Sequence, residues 1–199
     1  MLWWLRVRRG PVLLPPALAV FLGYVLLVRN ETVALPSLIG GGAEVVLLAF
    51  APIPVTSALM AALDTRLDAA EESGIRPVAA LDAALALAVT AAATLLGLLA
   101  AWLLDQPGAL AAGRDTAFLA GLMLCLRPLA GAHAVLAPVG WLMLSVLAGT
   151  RAGGEPHPWT VVRQPPDSWT AALTSALVLI AGTTAVAALA QRRGTRRER

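Results

Sequence analysis

The chain has 199 residues, of which 58% are hydrophobic and 14% charged, with a mean hydropathy of +0.76; soluble domains run nearer about 45 to 50% apolar and about 25% charged, so this composition excludes an ordinary soluble globule and predicts an integral membrane protein. All fifteen basic residues are Arg and none is Lys, which points to a GC-rich, actinobacterial-type genome and excludes both a P-loop lysine and a Schiff-base lysine. The pI near 10.4 does not point to nucleic acid, because the arginines gather where a membrane protein places them, at cytoplasmic ends.

A spanning helix needs about 20 mostly apolar residues to cross about 30 Å of hydrocarbon. The first predicted span covers residues 11–28, after Arg6, Arg8 and Arg9; no small-residue cleavage site closes it, so it reads as a retained span rather than a leader. The second covers about 43–63, with Pro52 and Pro54 expected to kink or locally unwind it. The third, 83–104, carries no charge. From Thr116 to Thr150 the chain is apolar for about 52 Å of helix, too long for one crossing. Arg127, Pro128 and the small residues after them suit a break, which gives spans at about 115–130 and 132–149. The sixth covers 170–190 and runs into QRRGTRRER.

The predicted fold is thus all-α, a single transmembrane domain over residues 1–199 with six spans and both termini cytoplasmic. That topology puts Arg6, Arg8, Arg9, Arg66, Arg76, Arg127, Arg192, Arg193, Arg196, Arg197 and Arg199 inside and Arg29, Arg114, Arg151 and Arg163 outside, a strong positive-inside asymmetry. Trp3, Trp4, Trp102, Trp159 and Trp169 fall near span boundaries, where amphipathic rings prefer to sit. The localisation that follows is multi-pass in a bacterial plasma membrane.

Between spans two and three lies LDTRLDAAEESGIRPVAALD, residues 63–82, with seven of the chain's charged groups. Asp64 suits the cap of a short helix, Gly74 its stop and Pro77 the first turn of the next helix. Leu67, Ala70 and Ile75 would then face lipid or the bundle, with Arg66, Asp68, Glu71 and Glu72 facing the cytoplasm. One reading is a solvated connection whose charges keep it out of lipid; the other is a docking element, since its surface is net acidic where a connection facing only lipid tends to be basic.

Six spans with a short charged helix between the second and third resemble the permease subunits of type-two ABC exporters, on the stretches LDTRLDAAEESGIRPVAALDAALAL and GRDTAFLAGLMLCLRPLAG. The resemblance implies that the 64–77 stretch is a coupling helix seated on a separate cytoplasmic ABC ATPase, through Arg66, Asp68, Glu71, Glu72 and Arg76. It also implies a second permease copy or a paralogous permease in the same bilayer. Glu44, Pro52 and Pro54 are the candidates for a substrate path.

No enzymatic reading emerges. Asp64, Asp68 and Glu71 or Glu72 share a helical face and could be drawn as a metal-phosphate site, but lipid phosphotransferases that work this way carry several such motifs and here there is one. His133 and His157 lie in different connections on opposite sides, and the lone Cys125 sits in an apolar run, so neither a metal set, a cofactor site nor a catalytic triad can be assembled. Arg114 and Asp115 read as the outer end of span four, and Arg127 as a side chain snorkelling at the inner face. The expected function is therefore the permease subunit of an ABC-type exporter, and the alternative a non-transporting scaffold or accessory subunit of a membrane complex.

Overall fold

A computed structural model describes residues 10–28, 31–36, 42–64, 78–151 and 155–197. Helix dominates. In chain order the elements are α1 (Gly10–Val28), a hairpin of β1 (Thr32–Pro36) and β2 (Gly42–Val46), a 3-10 turn (Leu47–Phe50), α2 (Pro52–Asp64), α3 (Val78–Leu104), α4 (Pro107–Ala130), a 3-10 turn (Gly131–Val135), α5 (Leu136–Ala148), a further 3-10 turn (Val161–Arg163) and α6 (Trp169–Arg197). Five stretches are long and apolar enough to cross a membrane, namely Gly10–Val28, Leu47–Asp64, Ala80–Leu104, Pro107–Ala148 and Trp169–Ala188. Leu27, Trp102, Leu129 and Trp169 each expose more than 70% of their surface, a pattern that water would not tolerate and lipid covers. The protein is membrane-embedded and all-α, apart from the one short hairpin.

The fourth apolar stretch is folded back on itself. Gly131 has φ 56° and ψ −129°, a conformation that glycine adopts without penalty, and the helix axis reverses there. The reversal is visible in the packing: the rings of Phe118 in α4 and Trp141 in α5 are 5.4 Å apart, whereas 23 residues of continuous helix would separate them by about 34 Å. The expected break is thus present, a few residues beyond Arg127 and Pro128. With 13 residues, α5 is only about 20 Å long, so it returns through the bundle as a short helix.

Three expected boundaries need correction. Residues 43–46 belong to β2, paired with β1 from Thr32↔Val46 to Pro36↔Gly42, so the second span begins at Leu47 as a 3-10 turn and becomes α-helical at Pro52. Pro52 and Pro54 occupy the first turn of α2, where their missing N–H groups would have no intrahelical acceptor anyway, and they mark a helix start rather than a mid-helix kink. Helix α3 starts at Val78, not 83, carrying Asp82 into the bundle. Helix α4 starts at Pro107 rather than 115. Asp105, at φ 50°, and Gln106 alone make the turn from α3, and Gln106 ties it to α1 by donating from Nε2 to the carbonyl of Val25 at 3.2 Å.

Helix α4 is the centre of the bundle, packing against α2, α3, α5 and α6. Small residues let it approach its neighbours at backbone distance. A Cβ on Gly121 would lie 2.6 Å from the Leu179 nitrogen of α6, and one on Gly182 would lie 2.5 Å from the Gly121 carbonyl oxygen. On its other flank, Gly113 of α4 meets Thr94 of α3, whose hydroxyl donates to the Gly113 carbonyl at 3.3 Å. By contrast a Cβ on Gly140, in α5, would meet nothing within 4 Å. Gly121→Ala is therefore expected to destabilise the fold by about 1 to 3 kcal/mol through overpacking. Gly140→Ala should be neutral or stabilising by up to about 1 kcal/mol. Thermal unfolding in detergent distinguishes the two, and equal midpoints would refute the α4–α6 contact.

Candidate functional site

Because successive helices reverse direction, the described chain has two ends. Tyr24 near the close of α1 donates its hydroxyl to the Leu47 carbonyl at the start of the second span. That end also holds the α3–α4 turn and the 149–168 connection; the opposite end holds the flanks of residues 65–77, the α4–α5 turn and the close of α6. Each end has one arginine of α4 at its centre.

At the first end Arg114 is buried within α4, two turns in, beside the equally buried Asp115. Its Nε donates to Asp115 Oδ1 at 3.0 Å. Its other nitrogens donate to the carbonyls of Pro165 at 2.8 Å, Val161 at 3.1 Å and Gln164 at 3.1 Å. A buried guanidinium needs both a countercharge and acceptors for its remaining protons, and this one finds the first on its own helix and the second in the 149–168 connection. The connection is consequently drawn inward, with Thr160, Val161 and Val162 buried. Arg163 fastens it to α5 by donating to the Ser145 carbonyl at 3.2 Å, and burial pushes the pKa of that guanidinium below its ordinary value. Aromatic rings fill the space outward from the core, Phe118 on Trp141 and Trp141 edge-on to Trp159 at 5.7 Å, with His157 stacked against Trp159.

At the second end Arg127, in the last turn of α4, donates from Nη2 to the Leu63 carbonyl at 2.7 Å and pairs through Nη1 with Asp82 Oδ2 at 3.7 Å. Leu63 is in the final turn of α2 and Asp82 in the second turn of α3. One guanidinium thus holds both flanks of the 65–77 segment. Four-fifths of the Arg127 side chain is covered, and it donates to a protein carbonyl and pairs with a protein carboxylate.

Of the residues expected at the partner interface, Arg66, Asp68, Glu71, Glu72 and Arg76 lie outside the described residues. Glu44 sits in β2 opposite Ala34, while Pro52 is buried and Pro54 half-buried at the start of α2. A cavity of about 280 Å³ lies between α1 and α3, lined by leucines and Ala100, and takes none of these three residues in its wall. His133 is exposed at the α4–α5 turn, whereas His157 accepts a long hydrogen bond from Arg151 at the other end. Among the described residues no group of three His, Cys, Asp or Glu side chains is placed to hold a metal ion.

The burial of Arg114 and Asp115 differs from the boundary role expected of them. The signal was in GALAAGRD: Pro107 followed by a run of small helix-forming residues extends the helical pattern upstream of the charges, and adjacent opposite charges can enter a bundle together. Removing one member of the pair leaves the other uncompensated. Arg114→Leu is expected to cost about 3 to 5 kcal/mol, and Arg114→Leu with Asp115→Leu appreciably less than Arg114→Leu alone. Unfolding midpoints in detergent test this ordering; a double variant less stable than the single one would refute it.

No family model, curated protein or solved structure matches the chain, which leaves the two arginine nodes and the charge distribution as the ground for a functional reading.

Proposed function

We propose that this chain is the membrane-spanning, non-enzymatic subunit of an exporter of the ABC type, with both termini and residues 65–77 in the cytoplasm, where a separate ATPase docks on Arg66, Asp68, Glu71, Glu72 and Arg76. The observation that carries the reading is the Arg127 node. A displacement of the acidic segment by a soluble partner would pull on the end of α2 and the start of α3, and both are bonded to the same guanidinium. That guanidinium belongs to α4, which packs against most of the bundle. A solvated connection with no mechanical task would not require its two flanks to share one largely covered cation, whose desolvation has to be offset. The positive-inside distribution of arginines supports the orientation.

A scaffold is the second reading, and the close α3–α4–α6 contacts favour it, because helices at backbone distance through Gly97, Gly113, Gly121 and Gly182 form a block with little freedom to rearrange. The two readings differ in what a bound ATPase feels. The tagged chain, purified from its native membrane, is expected to carry an ATPase activity that is lost from the preparation in the combined variant Asp68→Arg, Glu71→Arg, Glu72→Arg. Arg127→Ala is expected to keep the ATPase bound while changing its turnover by a few-fold, since the docking residues remain and the transmission does not. Undiminished ATPase in the triple variant would sink the coupling idea, and an ATPase whose turnover ignores Arg127 would favour the scaffold.

A further inference from the structure

Among the described residues six buried hydroxyls stand in helices. Five of them, on Thr56, Thr90, Thr116, Ser175 and Thr183, donate to the carbonyl four residues back in the same helix, which satisfies a hydroxyl without any outside partner. Ser145 departs from this pattern. It exposes 1% of its surface, yet its Oγ has no protein partner, and neither has the covered Nε1 of Trp141. Both residues belong to α5, four apart and hence on one face, with Cβ atoms about 5 to 6 Å from each other. That face looks into the bundle, since the Trp141 ring packs on Phe118 of α4 at 5.4 Å. From this contact Ser145 lies four residues on along α5 and Asp115 three residues back along α4, which is about 6 Å and about 4.5 Å towards the same end. The hydroxyl is thus level with the Arg114–Asp115 pair. Two polar atoms one turn apart in a covered layer each bear the cost of lost hydration unless something meets them both.

We propose that Trp141 Nε1 and Ser145 Oγ hold one internal water molecule between them, which accepts from the indole N–H and donates to the hydroxyl oxygen. Two hydrogen bonds of about 2.9 Å reach across up to about 5.8 Å, which matches the spacing of one helical turn. A buried water needs about two to four polar partners, and the closure of both atoms from the surface rules out a larger occupant. The competing acceptor for the indole is the face of Trp159, whose ring stands edge-on to Trp141 at 5.7 Å. A ring face accepts an N–H only weakly and leaves Ser145 unserved, so water satisfies both atoms where the ring satisfies one. Seated there, the water fixes the Trp141 ring in the aromatic path from Phe118 to Trp159, beside the Ser145 carbonyl that already accepts from Arg163. The site does not depend on a partner ATPase.

The test uses the full chain in lipid nanodiscs with isotope-labelled tryptophan, the indole N–H resonance of Trp141 being identified by its loss in Trp141→Phe. A nuclear Overhauser cross-peak from that N–H to a long-lived water is expected, and it should vanish in Ser145→Ala. A cross-peak missing from the unaltered chain, or unchanged in Ser145→Ala, overturns the proposal. Thermal unfolding gives an independent reading. Ser145→Ala is expected to lower the midpoint by about 2 to 4 °C, because it strands the indole, and to leave the midpoint unchanged or raised when introduced into Trp141→Phe, where no indole remains to strand. A midpoint that rises with Ser145→Ala alone reveals a hydroxyl with no partner and overturns the proposal. An equal fall in both backgrounds reveals a hydroxyl satisfied by its own helix and does the same.

Discussion

A guanidinium inside a bilayer must bring its own solvent, and two such groups on one helix govern how this chain is arranged. Arg114 and Arg127 are 13 residues apart on α4, about 20 Å along its axis, and both donate to protein acceptors. Arg114 recruits Asp115 and three carbonyls of the 149–168 connection; Arg127 recruits Asp82 and the last turn of α2. Apart from Asp115, the acceptors come from segments distant in sequence, so satisfying them ties α2, α3 and the 149–168 connection to α4. Loss of either cation would leave buried carbonyls and a carboxylate to be satisfied by other means, at a cost larger than that of most single contacts.

Charge alone could not hold helices together in lipid, where apolar side chains gain little by leaving one another. Attraction comes instead from close van der Waals contact, and here the glycines of α3, α4 and α6 provide it. The two effects are coupled in position. Gly113 adjoins Arg114, and Gly121 lies between the two arginine nodes, so the helix that carries the cations is also the one pressed against its neighbours. Polar nodes set the register of α4, and small residues set its distance from α3 and α6.

Much of this was legible in the sequence. Apolar runs of the right length located α1 to within one residue and found α3 and α6, though α3 begins five residues earlier and α6 ends seven residues later than expected, and the length of the Thr116–Thr150 stretch required a break that Gly131 supplies. What composition could not reveal was pairing across the chain. The β1–β2 hairpin took Glu44 out of a span, since strand pairing between 32–36 and 42–46 is a non-local choice that hydropathy does not encode. Arg114 looked like a boundary because a single charge normally ends a span; it is buried because its acceptors lie about fifty residues away in a proline-rich connection. The same holds for Arg127, whose partners at Leu63 and Asp82 precede it by more than forty residues.

The two nodes also differ in what they can transmit. Around Arg114 the acceptors are backbone carbonyls of a connection that is itself buried and fastened to α5 by Arg163, so a force applied there is shared among many bonds. Around Arg127 stand the Leu63 carbonyl at 2.7 Å and the Asp82 carboxylate at 3.7 Å, on opposite flanks of the acidic segment. Shifting that segment must stretch one of these contacts, move α4, or part α2 from α3. Because α4 is held at backbone distance by α3 and α6, the least constrained response is a displacement of α2 relative to the α3–α4–α6 block. Helix α2 is short, begins with two prolines and is joined to a 3-10 turn at Leu47–Phe50, so its upper attachment has no continuous α-helical ladder to resist bending. Helix α2 is thus tied at its close to the α3–α4–α6 block through the hydrogen bond from Arg127 to Leu63.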